Sequence, residues 1–233
     1  MKKSIGILGG MGPLATTDIF TKIVNLTKAE RDTEHIRIFI DNNPYIPDRT
    51  AAILSGGIDP VPQMADSLKR LEKCGADCII MTCNTAHFFL PKLQELTDIP
   101  FISMLSATAE AAFKRFPNKK AAILATRGTL SSKLYDNALS EFGVDFITPN
   151  EKETEAVMRV IYDGVKASAP AEFYRDDMMS VINGLYERGA DYFILGCTEL
   201  PIAADLLGIR DPFIDSTTEL AKAAIRFCGY EIK

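Results

Sequence analysis

The sequence has no tryptophan, only two histidines and no surplus of positive charge. Lysine and arginine total 26 against 31 aspartate and glutamate residues, which gives a formal net charge of −5. Proteins that bind phosphate backbones or anionic lipid surfaces usually carry a basic surplus, so we expect neither a nucleic-acid partner nor a membrane partner. The chain also lacks any run of about 18 apolar residues, so no membrane-spanning helix is expected.

Cysteine is sparse, and its number is odd. The five cysteines are unevenly spaced, which does not predict a framework of disulfides: Cys74, Cys78, Cys83, Cys197 and Cys228. The apolar residues 5–8 give way at once to a glycine pair, so the start of the chain is not expected to be a secretion signal. Together these features predict reduced thiols in a cytoplasmic protein.

The pattern of apolar residues predicts an α/β fold with parallel sheets. Short β-rich runs alternate with longer segments of helical period, and a 47% hydrophobic composition is enough for a packed core. About eight strands are expected, at residues 4–8, 36–40, 77–81, 101–103, 120–125, 145–147, 192–195 and 213–214. The expected helices are 16–28, 64–73, 90–96, 107–116, 131–142, 154–165, 173–187 and 217–227.

The two halves of the chain resemble each other. The segment Gly75-Ala76-Asp77, an apolar run and Cys83 match Gly189-Ala190-Asp191, an apolar run and Cys197, with eight positions from glycine to cysteine in both copies (83 − 75 and 197 − 189). The flanking segments match at nearly the same offset along the chain, since Lys3–Leu8 resembles Lys119–Leu124 and residues 100–102 resemble residues 212–214. Coincidence among common residues is the alternative, but four matches in register favour a duplicated α/β unit.

Each matched cysteine follows an apolar strand, at the sheet edge where open α/β folds bind ligands. The polar residues after Cys83 and Cys197 can begin a helix, whose positive end stabilises a thiolate or a substrate carboxylate. Two thiols on opposite faces of one carbon suit a stereoinversion, in which one removes a proton and the other donates one. The remaining three cysteines are expected to be inert core residues.

Three motifs carry a resemblance to a known family: Gly9-Gly10-Met11-Gly12-Pro13, Thr82-Cys83-Asn84-Thr85-Ala86-His87 and Gly196-Cys197-Thr198-Glu199-Leu200-Pro201. The chain resembles the cofactor-independent aspartate/glutamate racemase superfamily, and its aspartate racemase branch most. That resemblance implies two pseudosymmetric parallel-sheet α/β domains, with the active site in the interdomain cleft. It also implies two-base racemisation by Cys83 and Cys197 without pyridoxal phosphate, metal or other cofactor, in a homodimer.

The resemblance further implies a discontinuous first domain, of residues 1–103 plus 213–233, around a second domain of residues 104–212. Glutamate racemases of cell-wall synthesis typically have Asp-Ser-Gly near the start and a histidine after the second Cys-Thr. Here Gly-Gly-Met and Glu199 stand at those positions, which disfavours a peptidoglycan enzyme.

A dicarboxylic amino acid needs cations to hold its charges. Arg49, in the long first-half loop, and Lys166, in the second half, match the cations that bind substrate carboxylates in aspartate racemases. By the same resemblance six further residues are expected to line the site: Met11, Asn84, Thr85, Thr126, Thr198 and Glu199. Aspartate and glutamate differ by one methylene, and the sequence does not separate them.

Three other sites compete with this interpretation. Residues 10–15 fit a dinucleotide-binding G-x-G-x-x-A pattern, but Pro13 removes an amide from that turn. Cys74, Cys78, Cys83 and His87 cluster as zinc ligands do, but their spacings are not those of a zinc knuckle. Cys83 and His87 could also form a nucleophile and base for hydrolysis, although His87 is expected to be a helix cap or a surface residue.

Two further alternatives share the fold. One is an isomerase or decarboxylase of another small carboxylate, which would need only one essential cysteine or a different set of cations. The other is a catalytically silent amino-acid-binding module, which would tolerate the loss of both thiols.

Overall fold

A computed structural model describes residues 2–233, and in that range it contains seven β-strands and eleven α-helices. The strands are β1 (Ile5–Gly9), β2 (Ile38–Asn42), β3 (Cys78–Met81), β4 (Ala121–Ala125), β5 (Phe146–Ile147), β6 (Tyr192–Gly196) and β7 (Phe213–Asp215). The helices are α1 (Pro13–Leu26), α2 (Arg49–Leu54), α3 (Val61–Lys73), α4 (Leu90–Gln94), α5 (Met104–Arg115), α6 (Arg127–Ser131), α7 (Leu134–Glu141), α8 (Glu151–Arg159), α9 (Glu172–Glu187), α10 (Glu199–Leu207) and α11 (Ser216–Phe227).

The chain divides into two compact units, each built on its own parallel sheet. The first unit comprises residues 2–104 and 217–233, and its three strands lie in the order β2-β1-β3. The second comprises residues 105–216, with four strands in the order β5-β4-β6-β7. Strands β1, β3, β4 and β6 are buried along their whole length, as expected for parallel strands covered on both faces. The predicted α/β fold with two parallel-sheet domains is confirmed.

The Gly-Ala-Asp segment has the same structure in both units. Gly75 and Gly189 end helices α3 and α9 with φ angles of +84° and +90°, a conformation that favours glycine. Asp77 then accepts a hydrogen bond from the backbone N–H of Ser4, and Asp191 accepts one from that of Lys120. These backbone donors lower the pKa of both carboxyl groups. The repeat seen in the sequence is therefore also a repeat of local structure.

Three details of the expected secondary structure are wrong. Residues 101–103 form only a single bridge, between Ile79 and Phe101, because helix α5 begins at Met104 and leaves no room for a longer strand. The helix expected over 154–165 is α-helical only to Arg159 and continues as a π-helix from Val160 to Lys166. Helices α2 and α6 were not predicted, and α10 is the helix that the residues after Cys197 were expected to begin.

The expected return to the first domain at residue 213 comes too early. Strand β7 pairs with β6 through Phe193↔Phe213, so residues 213–215 belong to the second sheet and the chain returns after Ser216. The chain first passes from the first unit to the second after Met104. Met104 is fully buried in the core of the first unit, together with Ile5 and Leu220, so the first segment extends one residue beyond 103.

Candidate active site

Cys83 lies just beyond the carboxyl end of β3, where the sequence places it. Its side chain is 8% exposed and belongs to a buried apolar cluster that includes Met11 and Met81. Asn84 and Thr85, the next two residues, are also buried and lead into a short 3₁₀ helix, Thr85–Phe89. Since Leu8 of β1 pairs in register with Met81, the loop that carries Met11 leaves the sheet at the same edge as Cys83.

Met11 follows a glycine that the backbone requires. Gly10 has a φ of +92°, and a Cβ atom there would lie 2.3 Å from the backbone of Asn43. A side chain at residue 10 would therefore push this loop away from the neighbouring connection. This close approach explains Gly10, and a Cβ atom at Gly9 would likewise lie 2.5 Å from the Thr16 hydroxyl, so packing accounts for both glycines.

Arg49 is not in a loop, as the sequence suggested, but is the first residue of helix α2. The helix is capped by Asp48, whose carboxylate accepts a hydrogen bond from the backbone N–H of Ala51. The Arg49 side chain is buried and donates hydrogen bonds to three backbone carbonyls, those of Ile46, Pro47 and Met11. The structure therefore joins Arg49 to Met11, and the guanidinium helps to hold the loop that lies beside Cys83.

His87 is buried, so its predicted place as a surface residue is wrong, whereas its contact with the first residue of α5 is that of a helix cap. The backbone N–H of Met104 donates to His87 Nε2 at 3.1 Å, which leaves the proton on Nδ1, and Nδ1 donates to the carbonyl of Cys83 at 2.9 Å. Burial lowers the pKa of His87 to about 4, so the ring is neutral near pH 7. Both ring nitrogens hold backbone groups, and His87 therefore positions the Cys83 peptide instead of acting as a base on its sulfur.

Cys197 directly follows β6 in the second unit and contacts a carboxylate. Its Sγ donates to Glu199 Oε2 at 3.0 Å, and the Thr198 hydroxyl donates to the same oxygen at 3.1 Å. Lys166 Nζ lies 2.9 Å from the other carboxylate oxygen. Four of the expected site residues thus form one connected group, and Glu199 is almost fully buried within it.

Lys166 reaches Glu199 from the end of the π-helix. Gly164 lies against Tyr174 there, since a Cβ atom at residue 164 would be 2.6 Å from the tyrosine ring. π-Helical turns are rare and often occur at functional sites. The periodicity of the sequence predicts a regular helix in this segment and gives no sign of the wider turn.

Thr126 lies at the same sheet edge as Cys197, because Ala125 and Gly196 are paired in register at the ends of β4 and β6. It is the N-cap of helix α6, and its hydroxyl accepts a hydrogen bond from the backbone N–H of Thr129. Its observed role is therefore the capping of a helix at this edge.

Tyr135 is a neighbour of Cys197 that the sequence analysis missed. The ring packs against Gly196, where an added Cβ atom would lie 2.8 Å from Tyr135 Cε2. Burial is the main cause that raises the pKa of Tyr135, so the phenol stays neutral over the range in which thiols titrate. Nothing in the spacing of the sequence connects residue 135 with residue 197, because the contact depends on how α7 packs on the sheet.

The other cysteines of the first unit do not gather around Cys83. Cys78 Sγ lies 3.9 Å from Cys228 Sγ in the core, and this contact raises the pKa of the Cys78 thiol, whereas Cys74 is exposed. Within residues 2–233 no group of three or more His, Cys, Asp or Glu side chains is placed to hold a metal ion. Over the same range no helix has the length and apolar character needed to cross a bilayer.

Comparison with known proteins gives matches along almost the whole chain. The profile of the Asp/Glu/hydantoin racemase family matches residues 8–224. The broad specificity amino-acid racemase RacX of Bacillus subtilis is 29% identical over 237 residues, which cover 95% of this chain and 96% of that protein. The structure of Picrophilus torridus aspartate racemase matches with a TM-score of 0.83 at 33% identity, covering 99% of this chain and 96% of that one. A putative Asp/Glu racemase from Yersinia pestis matches with a TM-score of 0.76 at 25% identity, covering 97% of this chain and 99% of that one.

Proposed function

Because this chain belongs to the Asp/Glu/hydantoin racemase family, we propose that it interconverts the L and D forms of aspartate or glutamate without a cofactor. Members of this family are isomerases, and relatives over the full length are named amino-acid racemases. The observation that carries the proposal is the matched position of two cysteines. Cys83 and Cys197 each follow a fully buried strand of a parallel sheet, in two units that share the Gly-Ala-Asp segment.

In the proposed reaction one cysteine acts as a thiolate and the other as a thiol. The thiolate removes the α-proton of the substrate, and the thiol gives its proton to the opposite face of the same carbon. Each turnover therefore moves one proton onto the first sulfur and one off the second, so the protein carries the same number of protons before and after. Backbone N–H groups after Cys83 and Cys197 would stabilise the negative charge that develops on the substrate carboxylate.

Two cations would hold the substrate carboxylates. Arg49 supplies a buried positive charge beside Met11 in the first unit, and Lys166 supplies one beside Cys197 in the second. Both cations already have protein partners, so we propose that they act as fixed charges and not as mobile surface residues. The polar side chains of Asn84, Thr85, Thr126 and Thr198 would complete the lining.

The decisive experiment measures proton exchange and inversion together. Single enantiomers of aspartate and glutamate are incubated with the protein in deuterated buffer, and the α-proton signal and the optical rotation are followed. We expect deuterium incorporation and inversion with no added cofactor, at a rate that a chelator leaves unchanged. Loss of the reaction on addition of chelator would contradict the metal-free mechanism.

Cysteine variants connect this reaction with the candidate site. Cys83→Ser and Cys197→Ser should each abolish almost all inversion, whereas Cys74→Ser, at an exposed position away from the sheet edge, should retain the rate. Turnover that survives the loss of one of the two sulfurs would instead favour another chemistry on the same fold, with a single essential cysteine. Ligand binding without exchange would favour an amino-acid-binding module.

The range of substrates and the assembly need separate measurements. Since RacX is described as having broad specificity, a panel of other amino acids should be assayed beside aspartate and glutamate. We propose a preference for the two dicarboxylic substrates, because two cations lie near the cysteines. We also propose a homodimer, and light scattering on the purified protein gives its mass directly.

A further inference from the structure

The two matched cysteines do not have the same surroundings. Cys83 is followed by Asn84 and Thr85, and the corresponding residues after Cys197 are Thr198 and Glu199. The repeat therefore places a threonine two positions after one cysteine and a carboxylate two positions after the other. In the structure that carboxylate accepts the hydrogen of the Cys197 thiol.

The contacts of Glu199 indicate where the proton lies. Its Oε1 atom is 2.9 Å from the Lys166 ammonium, and its Oε2 atom accepts from both the Cys197 Sγ and the Thr198 hydroxyl. The Glu199 carboxylate forms an ion pair with this ammonium, and a carboxylate is only an acceptor of hydrogen bonds. The shared proton therefore belongs to sulfur, and a thiolate at Cys197 would face a like charge.

Tyr135, Asp215 and Asp163 are titratable residues on the elements around Cys197. Tyr135 of α7 packs beside Cys197 and stays neutral. The negative charge of Asp215 in β7 adds to the rise in the pKa of Tyr135. Asp163 lies on the same π-helix as Lys166. Lys166 brings a positive charge to this group, and its ammonium contacts the Glu199 carboxylate.

We propose that Glu199 is a positioning residue that keeps the proton on Cys197 in the resting enzyme, so that Cys197 starts as the acid and Cys83 as the base. This assignment rests on the proposed racemase function. It replaces the expectation that Glu199 binds substrate. Cys83 takes the α-proton through its lone pair, the S–H bond of Cys197 breaks as its proton passes to the α-carbon, and the new Cys197 thiolate then faces Glu199.

An unequal pair of thiols has a kinetic consequence. One enantiomer needs the form with a Cys83 thiolate, which is the abundant one, and the other needs the scarce form with a Cys197 thiolate. Because the two enantiomers are equally stable, kcat/KM must be the same in both directions. The two enantiomers therefore differ in KM and in kcat but not in the ratio of the two. Both KM and kcat are higher for the enantiomer that requires the scarce form of the enzyme.

Nuclear magnetic resonance tests the assignment without substrate. Protein labelled with ¹³C at the cysteine β-carbons is titrated with base, and the Cys197 signal is identified by its loss in Cys197→Ser. In Glu199→Gln the midpoint of the Cys197 titration should fall by about one pH unit or more, since a like charge has been removed. In Lys166→Met the midpoint should rise, because the cation that offsets the carboxylate is gone.

Two controls separate charge from packing. Thr198→Val removes the other donor to the same oxygen but no charge, and its Cys197 midpoint should stay within about 0.3 pH unit of the parent. Glu199→Asp keeps the negative charge, so its Cys197 midpoint should lie much closer to that of the parent than the midpoint of Glu199→Gln does. A midpoint in Glu199→Gln that stays the same or rises would overturn the proposal, and so would a shift in Thr198→Val as large as that in Glu199→Gln.

Kinetics give a second test that depends on the reaction. The ratio of the KM values for the two enantiomers should move toward one in Glu199→Gln, and an unchanged ratio would contradict the assignment of Cys197 as the resting acid. If the thiol midpoint falls but no amino acid is racemised, the proposed function fails while the role of Glu199 in holding the proton stands. If racemisation is found and the midpoint does not fall, only the role of Glu199 fails.

Discussion

The buried His87 ring should make the stability of the fold depend on pH. Burial lowers its pKa from 6.5 to about 4, so the folded protein resists protonation where the unfolded chain accepts it. Above pH 6.5 both states are neutral and the contribution of His87 is fully present. As the pH falls from 6.5 to 4 the unfolded state binds the proton and the stability decreases, because a depressed histidine pKa favours folding only while the ring is neutral.

The size of the effect follows from the shift in pKa. A difference of about 2.5 units corresponds to about 3 kcal/mol in the free energy of unfolding, at 1.36 kcal/mol per unit. The variant His87→Gln removes this titration. It should be about 1–3 kcal/mol less stable than the parent near pH 7.5, since the contacts with Cys83 and Met104 are disturbed. Because the parent loses about 3 kcal/mol by pH 4, the difference between the two free energies should disappear or change sign on the way to that pH.

Urea titrations followed by circular dichroism between about pH 4 and pH 8 measure this difference. The matched control is His35→Gln, which changes the second histidine of the chain, at a half-buried position outside the Cys83 peptide network. Its stability should run parallel to that of the parent over the whole range. A constant difference between parent and His87→Gln from pH 4 to pH 8 would refute the reasoning.

Three further substitutions test the fold around the site, each by urea unfolding. Arg49→Ala should lower the free energy of unfolding by about 3 kcal/mol, since three backbone carbonyls lose a charged donor, and it should also lower kcat/KM. Unchanged stability would show that the guanidinium does not support the loop. Gly10→Ala should lower the free energy of unfolding far more than Gly75→Ala. Both glycines have a positive φ, but of the two only residue 10 lacks space for a Cβ atom. Equal decreases in stability would contradict the close approach to Asn43. Asn150→Ala should cost about 1 kcal/mol through the capping box of α8 and leave racemisation unchanged, and a large loss of activity would show that α8 affects the site.

The sequence predicted the sheets and the positions of both cysteines because these depend on local signals. A run of apolar residues after Gly-Ala-Asp specifies a helix end, a buried strand and then its carboxyl edge, and this succession recurs before Cys83 and Cys197. Helices α2 and α6 escaped prediction because each has too few turns to show a period.

The interactions around the two sulfurs could not be predicted in the same way. The hydrogen bond from Met104 to His87 joins residues 17 positions apart, and the ion pair of Lys166 with Glu199 joins residues in different elements. Such contacts depend on helix packing and on the π-helical turn, which one sequence does not reveal. The boundary after Ser216 was missed for a similar reason, since the pairing of β7 with β6 decides it.

We propose that two different sulfurs act on one α-carbon, and the molecule in which deuterium first appears shows whether this claim holds. A single enantiomer is incubated in deuterated buffer, and the reaction is stopped after a few per cent of inversion. The two enantiomers are then separated, and the deuterium content of each is measured by mass spectrometry. With two bases the product carries solvent deuterium while the recovered substrate remains protiated, in both directions. Deuterium that enters the recovered substrate as fast as the product would show that one group removes and returns the proton, and would contradict the claim.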